Sequence, residues 1–533
     1  MYSTVLSGAI YGIDSYLVQV EVDMSSGLPC FAMVGSLGGE VKESGERVRI
    51  ALKNMGIHLP PMHVAVNLSP ADIKKEGTAF DLPIAAGLLC SMEKIRRSAL
   101  QGILLLGELG LDGKVRPVKG VLPIIKKAHE AGIERCLIPE GNVREAGRIQ
   151  GIKIVGVPSL STAIEYLNTP PQRQDMVIAP FVEEEPLRMR EDTEGKRKSL
   201  REGGDEPVPG EPDFCEIVGQ ESVKRAALIA AAGFHNLLIV GPPGSGKTMT
   251  ARRLPSILPL LTGEEILEVS SIYSIAGLLD EDTPYISRRP FLNPHHTISP
   301  QALTGGGRIP RPGVISLSHR GVLFLDEMAE FKKQTLDLLR QPMEDRRVQI
   351  ARSCGSFSYP ADFMLVGASN PCPCGYYPDR NRCRCTPFEV RQYFSRISGP
   401  ILDRLDIRIF APQLKIGQLQ GGEKGETSTS MRKKVTGARI RQQKRFEGTR
   451  LRFNADLGAG DIEKYCPLGR KEKQLMEELF QSLGLSARAY HRMIKVARTI
   501  ADVEGRDAIG REQLLEAACY YSGEEAGFGN ERQ

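Results

Sequence analysis

The sequence predicts a multidomain α/β protein: an α+β domain at the N-terminus, an α/β core organised around a glycine-rich loop, and a helical C-terminal domain. Three observations predict it. The apolar run Leu237 to Val240 leads into Gly241-Pro242-Pro243-Gly244-Ser245-Gly246-Lys247-Thr248 and then into a helical stretch, Met249 to Leu254. Strand alternation and helical periodicity recur through residues 1–168, enough chain for a core of its own. From about 416 to 525 the pattern is helical.

The 533 residues exceed what one hydrophobic core organises, and the length suggests about three or four domains. Hydrophobic content of 41% and charged content of 25% are those of a soluble globular protein. The formal net charge of +5 permits a nucleic-acid partner without requiring one. The first residues carry no basic segment, Asp14 comes too early for a signal peptide, and no apolar run approaches the ~20 residues that span a bilayer. A cytoplasmic protein with no membrane partner is expected. Eleven cysteines, an odd count, suit a reducing compartment better than a disulfide framework.

In the N-terminal domain (1–168), Tyr16, Val18, Val20 and Val22 alternate onto one face of a strand. Val64 to Leu68 and Ile103 to Leu106 read as further strands, and Glu43 to Asn54 and Val121 to Ala131 as helices. The stretch Gly107 to Gly120, with Ala128 to Ile133 and Leu137 to Asn142, resembles the proteolytic domain of Lon-type proteases, whose chemistry is a Ser–Lys dyad. Lys75 to Pro83 resembles the segment that carries the nucleophile there. Laid residue by residue, the serine position falls on Ala79 and the lysine position on Leu122, so neither a hydroxyl nor an amine is present. Shifting the match by one residue offers Thr78, with no lysine at the partner position. The resemblance implies a Lon-like scaffold without peptidase activity. Residues 169–212 mix charges of both signs with proline and glycine, as at Lys196-Arg197-Lys198, the composition of a flexible linker.

The core (213–415) carries the chemistry. Gly241 to Thr248 fits G-x-x-x-x-G-K-[ST], whose backbone N–H groups wrap nucleotide phosphates at a helix N-terminus. Gly241, Pro242, Pro243, Gly244, Ser245, Gly246, Lys247 and Thr248 are therefore expected to bind ATP. Val322 to Leu325 reads as a buried strand ending in Asp326 and Glu327 at the edge where α/β sheets bind ligands. There Asp326 would hold Mg²⁺ with the Thr248 hydroxyl, and Glu327 would orient the attacking water. Arg347 to Arg352 and Phe357 to Tyr359 read as a hairpin, and Phe363 to Ser369 as a buried strand that presents Asn370 to the γ-phosphate. Arg404 precedes a strand, Ile407 to Phe410; it either completes a neighbouring subunit's site or pairs with Asp403 or Asp406. Arg488, near a helix start in the C-terminal domain (416–525), has the reach of a second phosphate sensor. The insert 262–318 contains Pro294-His295-His296-Thr297, whose histidines are either ligands or loop packing.

Cys372 and Cys374, then Cys383 and Cys385, form two paired thiols separated by a loop, a set able to close a tetrahedral Zn²⁺ site; two disulfides or free thiols are the alternatives.

In this order, the Lon-like start, the glycine-rich loop, Pro294 to Thr297, Gly321 to Glu327, Asn370-Pro371-Cys372-Pro373-Cys374-Gly375 and the Arg404 segment resemble the Mg-chelatase-like AAA+ ATPases. The three-part layout is similar to the ComM (YifB) family over nearly the whole chain. The resemblance implies Asn370 as sensor 1, Arg404 as arginine finger and Arg488 as sensor 2. It implies a hexameric ring that uses ATP and Mg²⁺ to drive branch migration of DNA during natural transformation. Pro312-Gly313-Val314 departs from it, an acid being expected after the glycine. Single-stranded or branched DNA would be held without sequence specificity, through phosphates, by Arg308 and Arg311 and by a hairpin carrying Arg346, Arg347 and Arg352; solvated arginines are the other reading. A motor for metal insertion into porphyrin and a protein-remodelling ATPase are the competing functions.

Overall fold

The computed structural model describes residues 1–181, 212–280, 282–307, 310–352, 355–413 and 425–522. The N-terminal domain is built on a mixed seven-stranded sheet. Its strands are β1 (Tyr2–Tyr11), β2 (Asp14–Ser25), β3 (Cys30–Val34), β4 (His63–Ser69), β5 (Ile103–Leu105), β6 (Arg135–Pro139) and β7 (Lys153–Val157), in the order β3-β4-β2-β1-β5-β6-β7. Val18, Val20 and Val22 are fully buried, as their alternation requires. β1 pairs with β2 from Tyr2 opposite Asp23 to Tyr11 opposite Asp14. The pattern of β1 is masked in sequence because its buried face carries serines: Ser7 is fully buried, and Ser3 donates to the Gly87 carbonyl at 2.8 Å.

Helices α1 (Gly39–Asn54), α2 (Asp81–Ser91), α3 (Val121–Glu130) and α4 (Leu160–Asn168) complete the domain. Every residue of α2 is buried, so it shows no amphipathic period and escapes sequence reading. Ile103 and Leu105 face one apolar cluster and Leu104 the other, so β5 is covered on both sides. Ala79 and Leu122 lie together in the second cluster.

The expected end of this domain at 168 is too early. Gln174 is buried and its amide donates to the Tyr166 and Thr169 carbonyls, each at 3.2 Å, while the Phe181 N–H donates to Ile154 at 2.9 Å. The rest of the expected linker, 182–211 with Lys196 to Lys198, lies outside the described residues.

The core domain holds a five-stranded sheet of β8 (Leu237–Val240), β9 (Phe291–Leu292), β10 (Val322–Leu325), β13 (Met364–Ser369) and β14 (Ile407–Phe410), all parallel, ordered β9-β10-β13-β8-β14. The intervening β11 (Arg347–Arg352) and β12 (Gly355–Pro360) form the expected hairpin. Leu237 to Val240 and Val322 to Leu325 are fully buried, the continuous apolar runs of strands covered on both faces. The flanking helices are α5 (Glu221–Gly233), α6 (Lys247–Ile257) and α7 (Gly263–Ala276). The hairpin docks on the N-terminal domain, with the Phe357 ring 4.8 Å from that of Tyr11.

Helices α8 (Ser428–Arg445), α9 (Arg470–Ser482), α10 (Ala487–Val503) and α11 (Arg511–Ser522) make the C-terminal domain. They do not form a separate body. Val435, Ala438, Ile494 and Ala497 share one apolar core with Ala226 and Ile229 of α5. Asp213 ties the two parts together at the start of the core, accepting from the N–H groups of Cys215 at 2.8 Å and Ser428 at 3.0 Å.

Candidate functional site

The site is assembled where the carboxyl ends of β8, β10 and β13 meet. Their registers, Val240 beside Ser369 and Leu325 beside Gly367, bring Gly241, Asp326 and Asn370 to one edge. Gly244 and Gly246 have φ of +75° and +85°, and a Cβ there would touch nothing; backbone conformation, not space, requires glycine. Gly241 differs: a Cβ would fall 2.3 Å from the Ala411 carbonyl oxygen, so the loop leaves the sheet only without a side chain.

The Lys247 amine donates to the Gly241 carbonyl at 2.6 Å, the Pro242 carbonyl at 2.9 Å and Asn370 Oδ1 at 3.2 Å. Burial pushes this amine down to about 8, against the opposing pull of Asp326 and Glu327. Phosphate binding needs the cation, so nucleotide affinity should be flat below pH 8 and fall by up to about tenfold per unit above it. Isothermal titration with an ATP analogue between pH 7 and 9.5 checks this; a flat profile overturns it.

The Thr248 hydroxyl donates to Asp326 Oδ2 at 3.0 Å, the pair of oxygens that would bind one side of a Mg²⁺ ion. Glu327 is left-handed (φ +50°), a conformation that costs a non-glycine residue about 1–2 kcal/mol and that clusters at functional sites. It points its half-exposed carboxylate toward His296, whose Nδ1 is 3.9 Å from Glu327 Oε2. The His295 and His296 rings lie 4.1 Å apart. Sequence reasoning left these histidines open between ligands and packing. Gln220, which sequence reasoning did not single out, also reaches the loop, its amide donating to the Ser245 carbonyl at 3.0 Å and to the Pro412 carbonyl at 2.6 Å.

Arg404 and Arg488 stand elsewhere. They line one cavity of about 530 Å³ with Asn236, Glu344, His491 and Arg492, and no residue of the loop 241–248 lines it. Asn236 precedes β8 and donates to the Arg404 carbonyl at 2.9 Å, so this cavity opens at the amino edge of the sheet. About 13 Å of strand, four residues at ~3.3 Å each, separates the two edges. Arg488 therefore does not reach its own chain's loop, as its helix position had suggested. The cause is the packing of α8 and α10 on α5, behind the sheet. The Arg404 guanidinium pairs with Glu344, not with Asp403 or Asp406, and donates to Pro400 O at 2.5 Å. Arg492, one turn after Arg488, holds the same turn by donating to the Leu402 carbonyl at 3.2 Å and Leu405 at 2.9 Å.

Of the arginines expected to meet DNA, Arg346 is committed to Asp362 and Asp456, while Arg347 and Arg352 are exposed on the hairpin. Arg311 lines a cavity between the N-terminal and core domains, and Arg308 lies outside the described residues. The thiols of Cys372, Cys374, Cys383 and Cys385 gather within 4.8 Å of one another.

A strand, a glycine-rich loop and a helix, with paired acids and an asparagine on neighbouring parallel strands, define a P-loop nucleotide-binding core of AAA+ type. Family models agree. Residues 213–419 match "Magnesium chelatase, subunit ChlI", residues 20–142 "Subunit ChlI of Mg-chelatase", and residues 425–521 "Magnesium chelatase, subunit ChlI C-terminal". The chain is 40% identical to Competence protein ComM of Haemophilus influenzae, over 97% of its own length and 96% of that protein's. It is likewise 40% identical to YifB of Salmonella typhimurium, over 96% and 95%. Its likeness to the Magnesium-chelatase 38 kDa subunit of Cereibacter sphaeroides, 29% identical, spans only 30% of the chain and 52% of that subunit. The chain belongs to the ComM (YifB) family of Mg-chelatase-like AAA+ proteins. Among the described residues, no helix is long and apolar enough to cross a membrane.

Proposed function

We propose that this protein is an ATP-hydrolysing ring motor of the cytoplasm that acts on single-stranded or branched DNA, with branch migration in natural transformation as its task. The division of the site carries the ring reading. Lys247, Thr248, Asp326, Glu327 and Asn370 occupy the carboxyl edge of the sheet, and Arg404 with Arg488 the amino edge. One chain thus holds two half-sites, and a closed ring, a hexamer by family resemblance, joins each loop to the next subunit's arginines.

In each joined site the loop N–H groups and Lys247 bind the phosphates. Thr248 and Asp326 would hold magnesium, which would supply neutralisation of phosphate charge when bound with ATP. Glu327 orients the attacking water and takes its proton, Asn370 senses the γ-phosphate, and Arg404 stabilises the charge that develops on it. A Glu327→Gln protein should bind ATP normally and hydrolyse it on the order of 10²–10⁴ times more slowly, measured by phosphate release. Unchanged turnover would remove Glu327 from this role.

The DNA assignment is supported by the relation to a competence protein and by the exposed Arg347 and Arg352. The N-terminal domain serves as a Lon-like scaffold without peptidase activity, supported by Ala79 and Leu122 at the dyad positions. The four cysteines bind one structural zinc ion. Comparison of ATP turnover with single-stranded DNA, a branched duplex and a folded protein tests the substrate class. Stimulation by DNA, greatest with the branch, is expected; stimulation by protein alone overturns the assignment.

A further inference from the structure

The segment after β13 is the only described stretch that touches the phosphate loop and carries clustered thiols at the same time. At its start the Ser369 carbonyl accepts from the Gly241 N–H at 3.2 Å, and Asn370 Oδ1 accepts from Lys247 at 3.2 Å. Cys372 and Cys374 follow at once. Gly375 then folds back onto the loop: its φ is +86°, its N–H donates to the Cys372 carbonyl at 3.0 Å, and a Cβ on it would fall 2.7 Å from Pro243 Cδ. Seven consecutive positions, 369–375, thus meet the loop at Gly241, Lys247 and Pro243 and carry two of the thiols.

The remaining two thiols come from beyond a cis proline turn and a short knuckle in which the Cys383 N–H donates to the Asp379 carbonyl at 2.7 Å and Arg380 donates to the Cys385 carbonyl at 2.9 Å. Three sulfur pairs are 3.3 Å (Cys372 to Cys374), 3.6 Å (Cys374 to Cys383) and 3.7 Å (Cys372 to Cys383) apart. A tetrahedron of thiolates around one ion at 2.3 Å has edges of about 3.8 Å, so the donor set fits a closed Zn²⁺ site. The Tyr377 N–H reaches Cys372 Sγ at 3.5 Å, the kind of donor that steadies a thiolate ligand. Besides the thiols, the knuckle is held by Arg382, which donates to the Gln413 side chain and lies 4.0 Å over the Tyr376 ring, and by Tyr376 and Tyr377, which pack against the apolar cluster of Cys372 and Cys383.

We infer that zinc held by Cys372, Cys374, Cys383 and Cys385 sets the position of Asn370 and of the phosphate loop, so that nucleotide affinity depends on occupancy of a metal site that takes no part in the chemistry. Zinc closes the four-thiol cage, the cage fixes the turn 370–375, and that turn supports Lys247 and Pro243 from one side. Loss of the ion leaves the turn held by its hydrogen bonds and by the packing of Tyr376 and Tyr377 alone, and lowers the population of binding-competent loop conformations.

This inference rests on Gly241 to Thr248 being the ATP site, and the test separates the two. The purified full-length protein is assayed for zinc, then titrated with a fluorescent non-hydrolysable ATP analogue before and after zinc is released by a mercurial and chelator, and again after thiols are regenerated and zinc restored. One zinc per chain, an affinity loss of about tenfold or more on release, and recovery on restoration are expected. Gly375→Ala gives a second reading that leaves all four ligands in place: full zinc content with weakened analogue binding is expected. No stoichiometric zinc, equal affinity with and without it, or normal affinity in Gly375→Ala overturns the inference. Failure of the untreated protein to bind the analogue at all overturns instead the reading of the loop.

Discussion

A Lys247→Ala protein should lose ATP turnover entirely and bind ATP more than a hundredfold more weakly, while unfolding at nearly the same temperature as the parent. The amine meets only the Gly241 and Pro242 carbonyls and Asn370, all at the rim of the loop, so its removal leaves no buried charge without a partner. The nucleotide loses a charge-assisted donor to its phosphates. Such bonds are worth about 1.5–3 kcal/mol each, and two of them amount to more than two decades of affinity. Isothermal titration gives the affinity, phosphate release the turnover, and differential scanning calorimetry the stability. Retained turnover would mean that another loop binds the nucleotide.

The second large effect belongs to Arg404. An Arg404→Ala protein should bind ATP as the parent does and hydrolyse it on the order of 10³ times more slowly, because an arginine finger acts on the transition state and not on the bound substrate. Its partners in the chain are Glu344 and the Pro400 carbonyl, at the rim of the amino-edge cavity, so folding should be little affected. The composite arrangement makes a sharper demand. Neither Lys247→Ala nor Arg404→Ala hydrolyses alone, yet mixed rings bring an intact loop from one variant against an intact arginine from the other. Mixing them should restore a fraction of the parental rate that is highest near equal proportions. Normal hydrolysis by Arg404→Ala, or no gain on mixing assembled rings, removes the shared site.

Much of the site is legible in the chain because its parts are local. The loop follows its strand directly, Asp326 and Glu327 follow theirs, and burial of Leu237 to Val240 and Val322 to Leu325 is visible as uninterrupted apolar sequence. Helix α2 and strand β1 were not legible, the one because it is buried all round and the other because serines sit on its inner face. The boundary at 168 was misplaced because polar composition suggested a linker where Gln174 is in fact buried by its hydrogen bonds to Tyr166 and Thr169.

Sequence alone determined that the chain holds a phosphate-binding loop, a pair of acids after a buried strand, and four cysteines in two close pairs, since each is written in neighbouring residues. Tertiary structure alone decided which of these groups meet. The order β9-β10-β13-β8-β14 sets Asn370 beside Lys247 and carries the cysteine turn onto Pro243. The packing of α8 and α10 against α5 draws Arg488 away from its own loop and into the cavity of Arg404. Both outcomes follow from burying apolar faces that lie far apart in the chain, a choice that no local pattern expresses.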